Sequence, residues 1–360
     1  MNDIEKYLEN IEREHAKMVE LSQPEKGAYD ELFTLDKMGW LLSKPPQRQY
    51  LFNYREPFNK ESGFLPKGKA CMVASPGGCG KTFLLAHCAL AAATGSSWLS
   101  TNSTGPIKVL FVAAEEDEEE LWNRFHNIVK GLEIEKNKTK LKNALKNIIP
   151  LPMRGKDQRF IDEKGKATKT YLDLKKALEN NPDIQLVILD PASRFMGPET
   201  ETNNAAATDW VNLIDALTLV GGKPTVLVSH HTNKTAIRPI GNDKKPVFDQ
   251  SMCRGASALV DGFRWVLGLQ RSQDIDKSKT IYVKLLKTNY CKLGDVLEFI
   301  QDFERGGILV AKDNTKNSFK HEEVPTILIE NLRMPQEQID KDDIYDDEDD
   351  EQIDNWGTLV

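Results

Sequence analysis

A glycine-rich segment, Ser75-Pro-Gly-Gly-Cys-Gly-Lys-Thr82, follows a short β-type run and precedes an apolar helical run. In this order, glycines let successive backbone N–H groups turn toward a phosphate, and the helix N-terminus adds its positive dipole end. Lys81 would reach the β- and γ-phosphates, and Thr82 would supply a hydroxyl to Mg²⁺. Ser75 stands where the motif usually has its first glycine, and serine can replace that glycine where φ is negative. We therefore predict that ATP·Mg²⁺ binds at Ser75, Pro76, Gly77, Gly78, Cys79, Gly80, Lys81, Thr82 and Phe83.

Two further apolar runs end in carboxylates. Glu115 directly follows the run Val109–Ala114, and Asp190 ends another run of four apolar residues. A glutamate at the carboxyl end of the strand next to the phosphate loop can orient or deprotonate an attacking water. We assign this role to Glu115, with Glu116 as the alternative. Asp190 would hold the Mg²⁺; its alternative role is a helix N-cap.

Histidines and arginines follow at the spacing that a hydrolytic phosphate site needs. His230 and His231 end the apolar run that begins at Thr225. At the end of the next parallel strand, such side chains can sense a γ-phosphate and report nucleotide state to the following loop. Arg254 and Arg264 flank a small-residue helical segment. An arginine from a neighbouring subunit accelerates phosphoryl transfer by roughly 10³–10⁵-fold; ion pairing within the subunit is the alternative.

The apolar periodicity predicts the elements that position these groups. From Lys69 onward, β-type runs alternate with helical runs, which is typical of a parallel sheet covered by helices. The predicted strands are 69–74, 107–113, 183–190 and 224–229, and the predicted helices are 80–93, 117–131 and 205–220. Runs at 263–270, 280–286, 296–301 and 307–311 predict mostly antiparallel strands that extend one edge. The sequence therefore predicts an α/β fold with a mainly parallel twisted sheet.

Four segments lie outside this alternation. Residues 1–23 have the apolar spacing of an amphipathic helix, and they open an N-terminal extension and linker that runs to residue 60. Residues 131–182 are predicted to be a helical insert rich in Lys and Asn, and 232–252 a long polar loop. Residues 336–360 are acidic and of low complexity, so we predict that they are disordered.

The composition of the 360-residue chain is 39% hydrophobic and 29% charged, which describes a globular protein with an ample core. The apolar runs are shorter than the roughly 18 residues of a membrane span, and the charged N-terminus lacks the apolar centre of a secretory signal. Net charge is −7, but residues 337–354 hold eleven acids and one base, so the remainder is mildly basic and compatible with nucleic acid. Five cysteines without metal-ligand spacing indicate a reduced, cytoplasmic setting, and we expect no membrane association.

Taken together, the motifs resemble those of the RepA-type hexameric replicative helicases within the RecA/DnaB superfamily. In chain order they are Ser75-Pro-Gly-Gly-Cys-Gly-Lys-Thr, Ala114-Glu115, Leu189-Asp190 with Arg194-Phe195, His230-His231-x-x-Lys234, Arg254-Gly-x-Ser-x-Leu-Val-Asp-x-x-Arg264-Trp265 and Lys287-x-Asn289-Tyr290. The resemblance implies a RecA-like three-layer core at 61–315, followed by a strand or linker at 316–335. It also implies a ring, usually a hexamer, that uses ATP to move along single-stranded DNA in the replication of a plasmid, phage or mobile element.

The resemblance also implies roles for individual residues. Lys81 and Thr82 would bind nucleotide and metal, Glu115 would be the catalytic carboxylate, Asp190 would serve the Mg²⁺, His230 and His231 would form the sensor, and Arg264 would be the arginine that reaches the adjacent subunit. Lys287 resembles the lysine of the Lys-x-Arg element of DnaB-type helicases. Asn289 stands at the arginine position of that element, which leaves Arg264 as the better candidate. Arg254 and Lys287 are further candidates for groups that act on the neighbouring subunit.

In RecA-like rings, DNA is held by two loops that follow the aspartate strand and the sensor strand. Here these loops would be Arg194–Asp209 and Thr232–Cys253. The second carries the candidate DNA-binding residues Lys234, Arg238, Lys244 and Lys245. With no interleaved aromatic residues, we expect contacts to the phosphate backbone that do not depend on sequence. The acidic tail would dock a replication partner, or else only add solubility.

Two other functions remain open from the sequence. One is a RecA/RadA-like recombination or repair ATPase, which would assemble as an open helical filament instead of a closed ring. The other is an adaptor without motor activity, whose ATP site switches its binding to a replication or regulatory partner. Low ATP turnover without stimulation by single-stranded DNA would favour the adaptor.

Overall fold

The structure is a computed structural model that describes residues 44–54, 63–233, 249–272, 279–291, 293 and 296–312. The predicted N-terminal helix at 1–23, the linker at 316–335 and the acidic tail at 336–360 lie outside the described residues. Most of the predicted loop at 232–252 lies outside them as well.

The described residues form thirteen strands and six α-helices. The strands are β1 (Tyr50–Tyr54), β2 (Gly63–Pro66), β3 (Ala70–Ser75), β4 (Ser97–Trp98), β5 (Thr101–Ser103), β6 (Lys108–Ala113), β7 (Ile148–Pro152), β8 (Ile184–Asp190), β9 (Thr225–His231), β10 (Trp265–Arg271), β11 (Thr280–Thr288), β12 (Leu297–Asp302) and β13 (Ile308–Ala311). The helices are α1 (Lys81–Thr94), α2 (Glu118–Gly131), α3 (Lys138–Asn147), α4 (Lys169–Asn180), α5 (Asn204–Leu217) and α6 (Ser257–Gly262).

A nine-stranded sheet has the order β13-β12-β11-β10-β3-β9-β8-β6-β7. Neighbours from β10 through β7 pair in parallel, whereas β11, β12 and β13 pair antiparallel along one edge. The sheet confirms the predicted α/β class, the mainly parallel pairing and the antiparallel edge. It also shows that β6 lies three positions from β3, so the expectation that the glutamate-bearing strand neighbours the phosphate loop was wrong.

Helices cover both faces of this sheet and make three layers. The central strands are buried on both faces, which is why they read as continuous apolar runs such as Leu186–Leu189. One buried cluster joins α1, α2 and α3 to one face, and a second joins α4, α5 and α6 to the other. The layers hold the strand ends in fixed positions, and these ends carry most of the predicted site residues.

A second, four-stranded antiparallel sheet with the order β2-β1-β5-β4 packs on the layer of α1. Its core is aromatic: the ring centroids of Phe52 and Trp98 are 5.3 Å apart. Phe64 bridges to the main sheet, with its ring 5.3 Å from that of Trp265 at the start of β10. The sequence did not predict this sheet, and it places β1 within the segment that we expected to be a linker.

Two predicted segments need correction. Residues 131–182 were predicted to be helical, but they also contain β7, which pairs in parallel with β6 and extends the main sheet. The loop predicted at Arg194–Asp209 ends early, because α5 begins at Asn204, where the Asn203 side chain accepts from the amides of the first turn. Among the described helices, none is long and apolar enough to span a membrane.

Candidate functional site: a phosphate-binding cavity

The predicted site residues meet where parallel strands end. Ser75 pairs with His231 between β3 and β9, and Ala113 pairs with Asp190 between β6 and β8. This register brings the carboxyl ends of four strands to one edge, where ligands bind in open α/β sheets. A cavity of about 480 Å³ lies there. Its lining comprises Gly77, Gly78, Gly80, Lys81, Thr82, Phe83, Glu115, Glu116, Arg124, Asp190, Pro191, His231, Arg271, Gln301 and Phe303.

The glycine-rich loop has the shape needed to present backbone amides. Gly78 and Gly80 have φ of 74° and 85°, a left-handed region that favours glycine. A Cβ added at Gly77 or Gly78 would meet nothing within 4 Å, so open space remains above the loop for a ligand. Ser75 belongs to β3 and has no positive φ, which explains why serine is tolerated at this position. Cys79 is buried and does not line the cavity.

Lys81 begins α1, and its ammonium group is held at the cavity wall. Its Nζ donates to the backbone oxygens of Ser75 at 3.1 Å and Pro76 at 3.3 Å. Burial lowers the pKa of Lys81, and the charge of Asp190 opposes that shift. The cation lacks an ion-pair partner among the described residues. It is therefore suited to neutralise an anionic ligand in the cavity.

His231 contacts the same ammonium group. Its Nδ1 lies 3.3 Å from Nζ of Lys81 and accepts from it, which leaves the proton of the neutral ring on Nε2. Burial, and then the charge of Lys81, lower the pKa of His231, so the ring is neutral at pH 7. His231 is thus a donor at the cavity wall that is coupled to the cation of the phosphate loop.

His230 is not in the cavity, because successive strand residues point to opposite faces. Its ring is fully buried, and its Nε2 lies 2.6 Å from the backbone oxygen of Arg254. The Arg254 amide donates to the His231 oxygen at 3.0 Å, and its guanidinium pairs with Glu201 at 2.7 Å. The predicted histidine pair is therefore divided: His231 faces the cavity, and His230 holds the segment that contains Arg254.

Glu115 and Glu116 both line the cavity, in different settings. Glu115 is half-exposed, and its Oε1 accepts from Nε of Arg194 at 2.8 Å. Glu116 is ion-paired with Arg124, whose guanidinium carbon lies 4.5 Å from the centre of the Phe83 ring. Burial raises the pKa of Glu116, and Arg124 opposes that shift. Glu115 is the more accessible carboxylate, whereas Glu116 is committed to holding Arg124.

The residues predicted to hold Mg²⁺ fit that ion. Asp190 is buried at the end of β8 and faces the cavity, and the Ser229 hydroxyl donates to its Oδ1. Its other oxygen has no side-chain donor in the described part of the chain, and Thr82 is partly exposed at the same cavity. Carboxylate and hydroxyl oxygens, completed by water and phosphate, are the ligands that Mg²⁺ takes.

Arg264 lies at the opposite ends of the parallel strands, where β3 begins and not where it meets the cavity. Its amide donates to the oxygen of Ala70, the first residue of β3, whereas the phosphate loop follows the last residue of that strand. Its side chain is exposed. Lys287 lies at the same edge and donates to the backbone oxygens of Val260 and Asp261 at 3.1 and 2.7 Å. Neither side chain lines the cavity.

Five lining residues were missed from the sequence: Arg124, Pro191, Arg271, Gln301 and Phe303. Arg271 ends β10 beside the phosphate loop and donates to Gln301, with the Gly78 oxygen 3.5 Å away. The predicted strand at 263–270 ends directly before Arg271. This position at the carboxyl end of a strand could have indicated that Arg271 lies near the site. Phe303 follows β12 and is exposed, which the sequence pattern does not indicate.

The predicted DNA-binding residues Lys234, Arg238, Lys244 and Lys245 lie outside the described residues. The ends of their loop are described. Thr232 and Cys253 form an antiparallel bridge, and the Asn233 side chain donates to the Cys253 oxygen at 3.1 Å. The loop thus starts directly after His231 and returns to Arg254, so both ends touch residues near the cavity.

Comparison with known proteins agrees with this architecture. A family model described as an AAA domain (AAA_25) matches residues 30–236, more than half of the chain. Among solved structures, one described as an ATPase domain superposes with a TM-score of 0.51 at 14% sequence identity, covering 69% of this chain and 87% of that one. This likeness is one of fold, and it supports the predicted RecA-like core. The chain therefore belongs to the AAA domain family of P-loop ATPases.

Proposed function

We propose that the protein is one subunit of a RepA-type ring, a hexamer, that hydrolyses ATP to move along single-stranded DNA in the replication of a plasmid, phage or mobile element. The observation that carries this proposal is the division of the predicted groups between two edges of one sheet. Lys81, Glu115 and His231 share the cavity, whereas Arg264 is exposed at the far edge. An arginine so placed can complete a cavity only in another copy of the chain.

The residues of the cavity suit hydrolysis of a bound triphosphate. The amides of Gly77–Gly80 and the Lys81 ammonium would hold the phosphates, with Lys81 moving from the Ser75 and Pro76 oxygens to phosphate oxygens. Glu115 would orient a water toward the γ-phosphorus and accept its proton, while Arg194 keeps the carboxylate in place. When bound, Mg²⁺ would offset charge on the β- and γ-phosphates.

His231 would couple the nucleotide to DNA. Its Nε2–H would donate to a γ-phosphate oxygen, and release of that phosphate would change its contact with Lys81. The loop that begins directly after His231 carries Lys234, Arg238, Lys244 and Lys245. A shift of this loop would move a DNA strand bound along its lysines and arginines.

The outer wall of the cavity would take the base. Phe303 is 58% exposed at the cavity, which Arg271 and Gln301 also line, and Arg271 donates to Gln301. An aromatic ring and a planar guanidinium both stack on a purine without reading its edges. We therefore propose limited discrimination between ATP and other purine triphosphates.

The test is ATP hydrolysis by the full chain with and without single-stranded DNA, together with mass measurement in the presence of ATP. Strong stimulation and a mass of about six subunits are expected for a cyclic ring. Lys81→Ala is the inactive reference. An open filament whose length grows with concentration would overturn the ring. Slow turnover that DNA does not stimulate would overturn the motor and leave an ATP-switched adaptor.

A further inference from the structure

A cluster of cations surrounds Tyr290 at the edge of the sheet opposite the cavity. The guanidinium carbon of Arg48 lies 4.5 Å from the centre of the Tyr290 ring, and Nη1 of Arg48 lies 3.5 Å from the Tyr290 backbone oxygen. Nζ of Lys69 lies 5.9 Å from the same centre. On the other side, the Asn289 amide donates to the Arg264 oxygen at 3.2 Å. Residues 289 and 290 therefore lie between Arg264 and Arg48.

The small sheet holds Arg48 in position. Arg48 precedes β1, and Tyr50, the first residue of β1, donates its hydroxyl to the Tyr290 oxygen at 2.6 Å. Two neighbouring residues of one segment thus hold the same carbonyl. The contact with the Tyr290 ring uses the face of the Arg48 guanidinium, and the bond to the Tyr290 oxygen uses Nη1, so the other N–H groups of the guanidinium can donate to a further ligand. Arg48 is exposed.

The cluster is positive and incompletely neutralised. Among the described residues, Arg48, Lys69, Arg264 and Lys287 form no ion pair with a carboxylate. In the described part of the chain, the acids that act on this cluster are Asp261, on Lys287, and Asp215, on Tyr290. Two acids against four bases leave a surface that favours a multiply charged anion.

This surface cannot serve its own cavity. Arg264 and Ala70 lie at the start of β3, and the phosphate loop leaves its end, about 17 Å away for six strand residues. The anion must come from another molecule. The Arg48 guanidinium contacts Tyr290, and the neighbouring Asn289 amide donates to the Arg264 oxygen, so the two arginines lie on one surface.

We infer that Arg48 is a second arginine that, with Arg264, contacts the triphosphate in the cavity of a neighbouring copy. The inference rests on the proposed function, because it needs the head-to-tail contact of a ring. A planar guanidinium group binds a phosphate through two parallel N–H donors. Two arginines can therefore each contact a pair of phosphate oxygens. The small sheet then has a role: it positions Arg48.

Subunit mixing tests the inference. Arg48→Ala, Arg264→Ala, Arg48→Lys and Arg159→Ala are each measured for ATP hydrolysis alone and mixed with an equal amount of Lys81→Ala. Arg159 is an exposed arginine paired with Asp157 at 3.4 Å and serves as the matched control. Melting temperatures of all variants check folding.

Arg48→Ala is expected to lower kcat at least about tenfold while KM changes little, and Arg48→Lys to recover only part, since the lysine has no planar fork. Mixing with Lys81→Ala should restore activity to about one quarter of the wild type. That is the fraction of head-to-tail contacts that join an intact cavity to an intact Arg48. Arg159→Ala should match the wild type.

Three results would overturn the inference. Arg48→Ala could hydrolyse ATP like the wild type. The ATP hydrolysis lost in Arg48→Ala could fail to return on mixing with Lys81→Ala, whereas the hydrolysis lost in Arg264→Ala returns. That result would mean that Arg48 acts within its own subunit. Arg48→Ala could weaken only single-stranded DNA binding, measured by fluorescence anisotropy, which would make the cluster a DNA surface. Absence of hydrolysis in the wild type would instead refute the proposed function itself.

Discussion

The hydrogen bond between Lys81 and His231 joins two residues that lie far apart in the sequence. Lys81 donates to two backbone oxygens and to the Nδ1 of His231 at 3.3 Å. A ligand that draws the ammonium away must change the environment of that ring. Nucleotide state can therefore reach the end of β9 through one hydrogen bond, without movement of the strand itself.

We expect His231→Gln to lower kcat for ATP about 10²-fold, because removing one donor at a developing phosphate charge has effects of this size. Nucleotide affinity should change little, since the glycine-rich loop and Lys81 remain. Steady-state hydrolysis and binding of a fluorescent ATP analogue measure the two effects. His230→Gln is the matched control: its ring faces Arg254 and not the cavity, so it should retain basal hydrolysis. Equal losses in both variants would contradict a sensor role specific to His231.

Glu115→Gln should lower the rate of ATP hydrolysis by about 10²–10⁴-fold, while ATP binding persists, because only the proton acceptor is lost.

Glu116→Gln should instead affect stability. It leaves the largely buried Arg124 guanidinium without its carboxylate, so it should lower stability by about 3–5 kcal/mol, or less to the extent that water reaches the pair. Single-turnover hydrolysis and urea unfolding separate the two effects. A larger loss of kcat in Glu116→Gln than in Glu115→Gln would exchange their roles.

Sequence reasoning identified these residues but could not give their directions. The alternation of side chains along a strand requires that His230 and His231 face opposite sides, and the register of β9 with β3 decides which of them faces the cavity. Register is a property of pairing between distant segments. The Glu116–Arg124 pair likewise depends on how α2 returns along β6, which the local pattern does not encode.

At the scale of elements, the regular alternation from β3 to β9 was predictable and β7 was not. β7 contains Pro150 and Pro152, which argue against a strand in the middle of a sheet. The structure resolves this conflict because, among the described strands, β7 lies at the edge of the sheet and pairs with β6 alone. The strands of the small sheet have two to five residues, too short for a period to be read from the sequence.

Helix α1 contains a histidine that should make the fold sensitive to acid. His87 is buried, and burial lowers its pKa from 6.5 to about 4. Between these values the unfolded chain binds a proton that the folded chain does not bind. The free energy of unfolding therefore falls as pH falls from about 6.5 to 4, by up to about 3 kcal/mol from this residue.

His87→Gln should remove that dependence. Urea unfolding at pH 7.5 and pH 5 should show a smaller loss for the variant than for the wild type, even if the variant is less stable at both. His126→Gln changes an exposed histidine of α2 and should keep the wild-type dependence. An identical loss in His87→Gln and the wild type would show that acid sensitivity arises elsewhere.

The molecule as a whole has a functional polarity that follows from its parallel strands. Residues at or just after the carboxyl ends of β3, β6, β8 and β9 line the cavity, whereas the start of β10 and the end of β11 place Arg264 and Lys287 at the opposite ends of the strands. Such a subunit has a cavity and a cationic surface that face different directions. In the proposed ring, head-to-tail assembly would join the two, and repetition of that contact would close the ring if the rotation allows.

The cavity should also couple nucleotide binding to the stability of the whole core, because its lining comes from elements on both sides of the sheet. A non-hydrolysable ATP analogue with Mg²⁺ at 100 times its Kd stabilises the folded state by about 2.7 kcal/mol, and should raise Tm by roughly 5–10 °C for a domain of this size. Chelation of Mg²⁺ with EDTA, or Asp190→Asn, should remove much of the shift, because the charge of the phosphates would then be opposed mainly by Lys81. Differential scanning fluorimetry at matched protein concentration measures it. Lys81→Ala should show almost no shift, and a full shift in that variant would mean that the nucleotide binds away from the glycine-rich loop.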